Sequence, residues 1–139
     1  MEIACEAAES VGIRLGIEPE LANVVNSAMA ARRLIDDLAS HALAVVLDPA
    51  NLFETGESAG IIARAVDLLA DRIVMAHAKD RNSDGSFATA GKGTVDFPRF
   101  IADLRAAGFD GDLVTHGLTA EEAPGVSAFL RAIAGGARV

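Results

Sequence analysis

Glu18, Asp48, His77 and His116 recur at one kind of place in this sequence, each ending a short apolar run. The runs are Ile13 to Glu18 (IRLGIE), Leu43 to Asp48 (LAVVLD), Ile73 to His77 (IVMAH) and, less strongly, Asp112 to His116 (DLVTH). Two carboxylates and two imidazoles form a mixed oxygen and nitrogen donor set, which suits Mn, Fe, Co or Zn better than the all-oxygen cage of Ca. An ion held this way polarises a carbonyl or hydroxyl and eases removal of the proton on the adjacent carbon. Each residue also has a plainer reading. Glu18 and Asp48 each precede a proline and could cap or turn the chain, and a single His in an apolar strand is often a satisfied core residue. It is their company that points to metal.

Such side chains meet only if the runs lie side by side as parallel strands, with their ends at the carboxyl edge of one sheet, where α/β active sites gather. Successive ends stand about one strand-helix unit apart. Between the strands, 27–39, 58–70, 97–107 and 120–134 read as helices, and an Ala- and Glu-rich helix over 1–11 precedes them, capped by Gly12. Met29, Leu34, Ile35 and Leu38 form the expected inward stripe of the first of these, and Ser58 is the expected N-cap of the second. The unbroken apolar run 43–47 implies burial on both faces. Residues 80–96 read as one long loop, of the kind that serves function or moves, with Gly91-Lys92-Gly93 letting it turn sharply over the pocket. The expected fold class is therefore α/β: a single domain over 1–139, made of an N-terminal helix (1–12) and four βα units (13–139) with right-handed crossovers.

The formal charge of -8 and pI of about 4.7 repel phosphate backbones and anionic membrane surfaces. The absence of Trp and Tyr removes the stacking platforms of single-strand nucleic-acid binders. No nucleic-acid or membrane partner is expected. A lone cysteine, Cys5, permits no internal disulfide and reads as a small core residue on a helix, while acids in MEIACEAAES stand where a signal peptide needs basic residues. A cytoplasmic protein is expected.

The segments GIEPELANVV (16–25), VVLDPANLF (45–53), MAHAKD (75–80), AGKGTVDF (90–97) and DLVTHGL (112–118) resemble, in order, the C-terminal half of the xylose-isomerase-like TIM barrels. The resemblance implies a parallel (βα)4 unit equivalent to the second half of a (β/α)8 barrel. It implies a metal-dependent sugar or sugar-phosphate isomerase or epimerase, with a small sugar or sugar phosphate as substrate and a divalent metal (Mn, Zn, Co, Fe or Mg) as cofactor. Carried over residue by residue, Glu18, Asp48, His77 and His116 would be the metal ligands, with Glu18 and His116 also the acid/base pair. Two positions depart from the family pattern: His116 stands where many members carry Glu, and Asp48-Pro49-Ala50-Asn51 replaces the common Asp-x-x-His. The two-Glu mechanism therefore does not transfer intact.

Asn23, Asn51 and Lys79 are the substrate-binding candidates: the two amides for hydroxyls, though both could be turn formers, and Lys79 for an anionic group. A structural ion pair is the preferred plain reading of the latter, and Arg81 is a weaker candidate. His41 should face solvent, and Glu121 and Glu122 should answer the dipole of the last helix. A half-barrel leaves two strand edges and one sheet face uncovered, so a homodimer, or a second half-barrel chain, is the expected partner. Two competing functions remain: an inactive truncated or split half-barrel that serves only assembly or binding, and an abasic-site endonuclease of the same superfamily, disfavoured by the acidic charge.

Overall fold

A computed structural model describes residues 1–54, 56 and 58–135. Helix α1 (Glu2–Val11) ends on Gly12, whose φ of 68° is the left-handed conformation that glycine adopts without penalty. Cys5 and Ala8 are its buried residues. Four parallel strands follow: β1 (Leu15–Ile17), β2 (Leu43–Leu47), β3 (Ile73–Arg81) and β5 (Asp112–Thr115), side by side in the order β1-β2-β3-β5. Helices α2 (Ala28–Leu38), α3 (Ser58–Leu69) and α4 (Phe97–Ala106) connect them, and α5 (Ala123–Ala134) follows β5. The α/β expectation of four βα units behind a leading helix holds.

One face of the sheet carries the core. Leu43, Val45, Leu47, Ala76, Ala78 and Leu113 are buried there together with Ile35, Ile62, Val66, Leu69, Phe97, Phe100 and Leu130 of the helices. At about 25 cal/mol per Å² of apolar surface, this layer is the main favourable contribution to folding. Ser27 caps α2 by accepting from the Ala30 amide at 3.2 Å, and Asp96 caps α4 by accepting from the Arg99 amide at 3.0 Å.

Several expectations need correction. β1 is shorter than 13–18, and Ile13 is exposed ahead of it. Met29 is 61% exposed, because it lies in the first turn of α2, off the stripe set by Ala31 and Ile35. Ser58 lies inside α3 and does not cap it; its hydroxyl donates to the Thr94 carbonyl at 3.4 Å. The last helix starts at 123, since Thr119 to Glu122 close a turn first.

The largest correction concerns 80–96, which is not one loop. β3 runs on to Arg81, and a further strand, β4 (Phe87–Thr89), returns antiparallel to it with Lys79 opposite Thr89 and Arg81 opposite Phe87. The turn between them uses Asp84-Gly85, Gly85 having a φ of 88°, a dipeptide that favours tight reversal between strands.

Candidate metal centre

Because side chains alternate along a strand, the register decides which of them share a face. Leu15 pairs with Leu43, Gly16 with Ala44 and Ile17 with Val45. Glu18, one residue beyond β1, therefore belongs to the face opposite the helical core. Asp48 has the same parity on β2, alternating with the buried Leu47. His77 reaches that face only through an irregularity. Val45 pairs with Ile73, but Val46 pairs with Met75, so the register slips by one residue between them. Without the slip, His77 would lie on the helix side; with it, Met75 and His77 turn to the open face. Ile73 packs on the core whereas Met75 is no part of it. Pairing of His77 with Val114 and Ala78 with Thr115 then sets His116 level with Lys79.

The four groups converge. One ligand atom each from Glu18, Asp48, His77 and His116 lie within 4.8 Å of one another. Two ligands on opposite sides of an ion with bonds of about 2.1 Å stand about 4.2 Å apart, so only small side-chain adjustments separate these atoms from a coordination shell. Chemistry and spacing both fit a divalent ion.

Asp48 is fully buried, with Oδ1 accepting from the Ala50 amide at 2.9 Å. Its Oδ2 faces His116 Nε2 at 3.1 Å, Lys79 Nζ at 3.2 Å and His77 Nδ1 at 3.8 Å. Glu18 Oε1 accepts from Asn51 Nδ2 at 2.9 Å and from His77 Nδ1 at 3.1 Å. The His77 bond holds the Glu18 carboxyl below its ordinary pKa against the opposing effect of burial, and the same bond raises the pKa of His77. The two imidazoles meet edge to face at 4.5 Å between ring centres.

Asn51 is buried in a 3₁₀ turn (Pro49–Asn51) that follows Asp48 directly. Its Oδ1 accepts from Lys79 Nζ at 2.7 Å while its amide nitrogen holds Glu18, so it links the two. Asn23 lies apart in this respect: it is exposed and donates to Glu20 Oε2 at 3.2 Å. The structural ion pair preferred for Lys79 has Asp48, not the adjacent Asp80, as its partner. Lys79 pairs with Asp48, and the fully buried Asp80 points to the other side, accepting from the amides of Gly91, Gly93 and Val95 at 2.9–3.0 Å and from Arg81 at 2.8 Å. Arg81 is structural too, its Nε donating to the Ala50 carbonyl at 2.8 Å. Glu122 does more than answer a helix dipole, accepting from the Thr119 amide and the Thr89 hydroxyl, both at 2.9 Å. His41 is exposed, as expected.

Phe87 was not singled out by sequence. Its ring stacks with Lys79 Nζ at 4.0 Å and with the Arg81 guanidinium at 4.3 Å, yet it is 50% exposed. The signal that could have found it is the Asp84-Gly85 turn, which places a strand residue opposite Arg81.

A sequence profile of the xylose isomerase-like TIM barrel matches residues 1–132. Among solved structures, a xylose isomerase domain protein from Planctomyces limnophilus superposes with a TM-score of 0.78 at 21% identity, over 95% of this chain and 49% of its own. A D-tagatose 3-epimerase-like protein gives 0.76 at 21% identity, over 93% and 49%. A 3-keto-D-glucoside 4-epimerase from E. coli gives 0.74 at 21% identity, over 94% and 50%. The comparison with curated proteins finds no match. This chain thus spans about half the length of the structures it resembles, and its four βα units correspond to half of their barrel. Strand order, the converging donors and the profile agree, and the chain belongs to the xylose isomerase-like TIM barrel family.

Proposed function

We propose that the chain is one half-barrel domain of a metal-dependent sugar or sugar-phosphate isomerase or epimerase. Glu18, Asp48, His77 and His116 would hold a divalent ion (Mn, Zn, Co, Fe or Mg). The observation that carries this reading is the convergence of those four donors within 4.8 Å at the carboxyl edge of the sheet. Two of the structures above, an epimerase-like protein and an epimerase of sugars, support the sugar class.

The ion would supply polarisation of the carbonyl or hydroxyl next to the reacting carbon. The remaining chemistry falls to side chains. Glu18 is the base: its side chain is 35% exposed, within reach of a substrate, and the bonds from Asn51 and His77 favour the ionised form that accepts a proton. Asp48 is out of reach of substrate and serves to hold its neighbours. Lys79 is a fixed cation between Asp48 and Asn51, placed to stabilise negative charge that develops on a substrate oxygen. His116, with its side chain 41% exposed, can complete the ligand set or return a proton as the second acid/base. Asn51 is already engaged with Glu18 and Lys79 and would position them, while Asn23 remains a candidate for a substrate hydroxyl.

The pocket wall opposite these residues belongs to a second half-barrel, either another copy of this chain or half-barrel sequence beyond these 139 residues. Among the described residues no helix is long and apolar enough to cross a membrane, and the lone buried Cys5 supports a cytoplasmic setting.

Protein purified without chelators tests the reading. We expect about one divalent ion per chain, a thermal shift with Mn, Co or Zn, and turnover of ketoses or their phosphates that Glu18→Gln abolishes without unfolding the protein. No bound metal and no shift overturns the proposal. Metal binding without turnover on any substrate of the panel favours instead a half-barrel kept only for assembly, the reading supported by its half-length coverage of the solved enzymes.

A further inference from the structure

The β3–β4 ribbon extends the sheet beyond the metal ligands. On β3, His77, Lys79 and Arg81 alternate onto one face, and Phe87 stands directly opposite Arg81 in the antiparallel register. Directly paired residues of two strands share a face, so Phe87 lies on the face of His77 and Lys79. The ring lies 4.0 Å from Lys79 Nζ, which itself lies 3.2 Å from Asp48 Oδ2. A half-exposed aromatic ring therefore stands one lysine away from the donor cluster.

From this juxtaposition we infer that Phe87 is an apolar wall of the substrate site, the ring against which the C–H face of a sugar packs while its oxygens turn toward the metal ligands. The inference rests on the sugar reading above. The ring face is the negative part of an aromatic quadrupole. Lys79 and Arg81 already exploit it, and the slightly positive C–H groups of a sugar suit it in the same way. The ring takes no part in the hydrophobic core, so core packing does not account for its place. It is also rigidly presented. Arg81 Nη1 donates to the Gly85 carbonyl at 2.6 Å, tying the turn, and Asp80 holds the segment after β4 through the Gly91, Gly93 and Val95 amides. Half of the Phe87 surface remains open to solvent, which costs free energy in the free protein and is regained when an apolar surface covers it. The chemical class that fits is a ketose or ring sugar with a continuous C–H face, bound by stacking at one end and through its oxygens at the other.

The test compares the full-length wild type with Phe87→Leu and Phe87→Ala, using D-fructose and D-tagatose as probes and Co²⁺ titration as the check on the site. In the wild type, saturation of aromatic protons should transfer to sugar C–H protons, and that transfer should weaken in Phe87→Leu to the part supplied by the His77 and His116 rings. Sugar affinity should fall roughly three- to tenfold in Phe87→Ala, with Co²⁺ affinity within about twofold of wild type in both variants. Equal sugar affinity and undiminished transfer in all three proteins overturns the inference and leaves the sugar reading standing. Loss of Co²⁺ binding together with sugar binding also overturns it, because Phe87 would then act only by seating Lys79. Failure of the wild type to bind either sugar overturns the sugar reading and this inference with it.

Discussion

Glu18 and His77 of the candidate metal centre are hydrogen-bonded to each other. They form an ion pair of 3.1 Å, and the sign of each shift fixes a pH window. Folding raises the pKa of His77, so its contribution is complete below the ordinary value of 6.5 and fades as pH rises through the raised one. Folding lowers that of Glu18, so its contribution is complete above 4.5 and fades as pH falls through the lowered one. The pair thus contributes fully between 4.5 and 6.5. We expect the denaturant midpoint of metal-free protein to plateau in that window, and both flanks to flatten in Glu18→Gln. A profile identical in the variant would mean that the pair does not couple to folding. A metal taken up at the proposed centre would compete with the proton on His77, so its binding should tighten as pH rises. At this scale the sequence was informative about identity but not about connection. All four donors were legible from their places at strand ends. The partner of Lys79 was not: that it is Asp48 and not the adjacent Asp80 depends on which strand lies beside β3 and on alternation, which sends adjacent side chains to opposite faces.

At the scale of elements, the one-residue slip between β2 and β3 does what no side chain could do alone: it moves His77 to the face of Asp48. A slip leaves no mark in composition or hydropathy, so it was not legible. β4 was legible in principle, through Asp84-Gly85, but the polar residues 80–96 read as loop. The element that organises this stretch is the Asp80 carboxylate, fully buried and accepting four backbone amides. Gly93 is required by the same arrangement, since a Cβ there would strike the Arg81 carbonyl and Asp80 Oδ1. Asp80→Asn keeps the acceptor toward Arg81 and Val95 but turns an NH₂ group toward the Gly91 and Gly93 amides. Leaving two donors facing a donor should cost about 2–4 kcal/mol. Denaturant unfolding should register that loss, and hydrogen exchange should speed at Gly91 and Gly93 more than at Val95. A variant with wild-type stability and exchange would show that the carboxylate does not organise the loop.

For the molecule as a whole, the two faces of the sheet are unequal. The helix side is filled, whereas the open side carries Gly16, Val46, Met75 and Val114 beneath the donor cluster, none of them fully buried and Val114 37% exposed. Among the described residues β1 pairs only with β2, and β5 with no strand but β3, so both edges of the parallel sheet are unpaired there. The α/β plan and its half-barrel size were legible from four strand-helix repeats; what covers the open face is not written in them. A second copy related by a two-fold axis along the barrel would set each β5 beside the partner's β1 and complete eight parallel strands, with the open faces packed together. Two copies also match the length of the solved barrels, of which this chain covers 49–50% in those compared above. Charge opposes this, since each chain carries -8, and repulsion between exposed charges is screened by salt whereas apolar burial is not. We therefore expect light scattering at micromolar concentration to report about twice the 14.3 kDa of one chain, with the dimer strengthened by added NaCl. Charge swaps that create opposite-sign copies should favour mixed dimers over like ones. A species of 14.3 kDa at all salt concentrations that binds no hydrophobe-sensing dye would refute self-association and the exposed face together. A 14.3 kDa species that binds the dye strongly would instead assign the open face to a half-barrel outside these 139 residues.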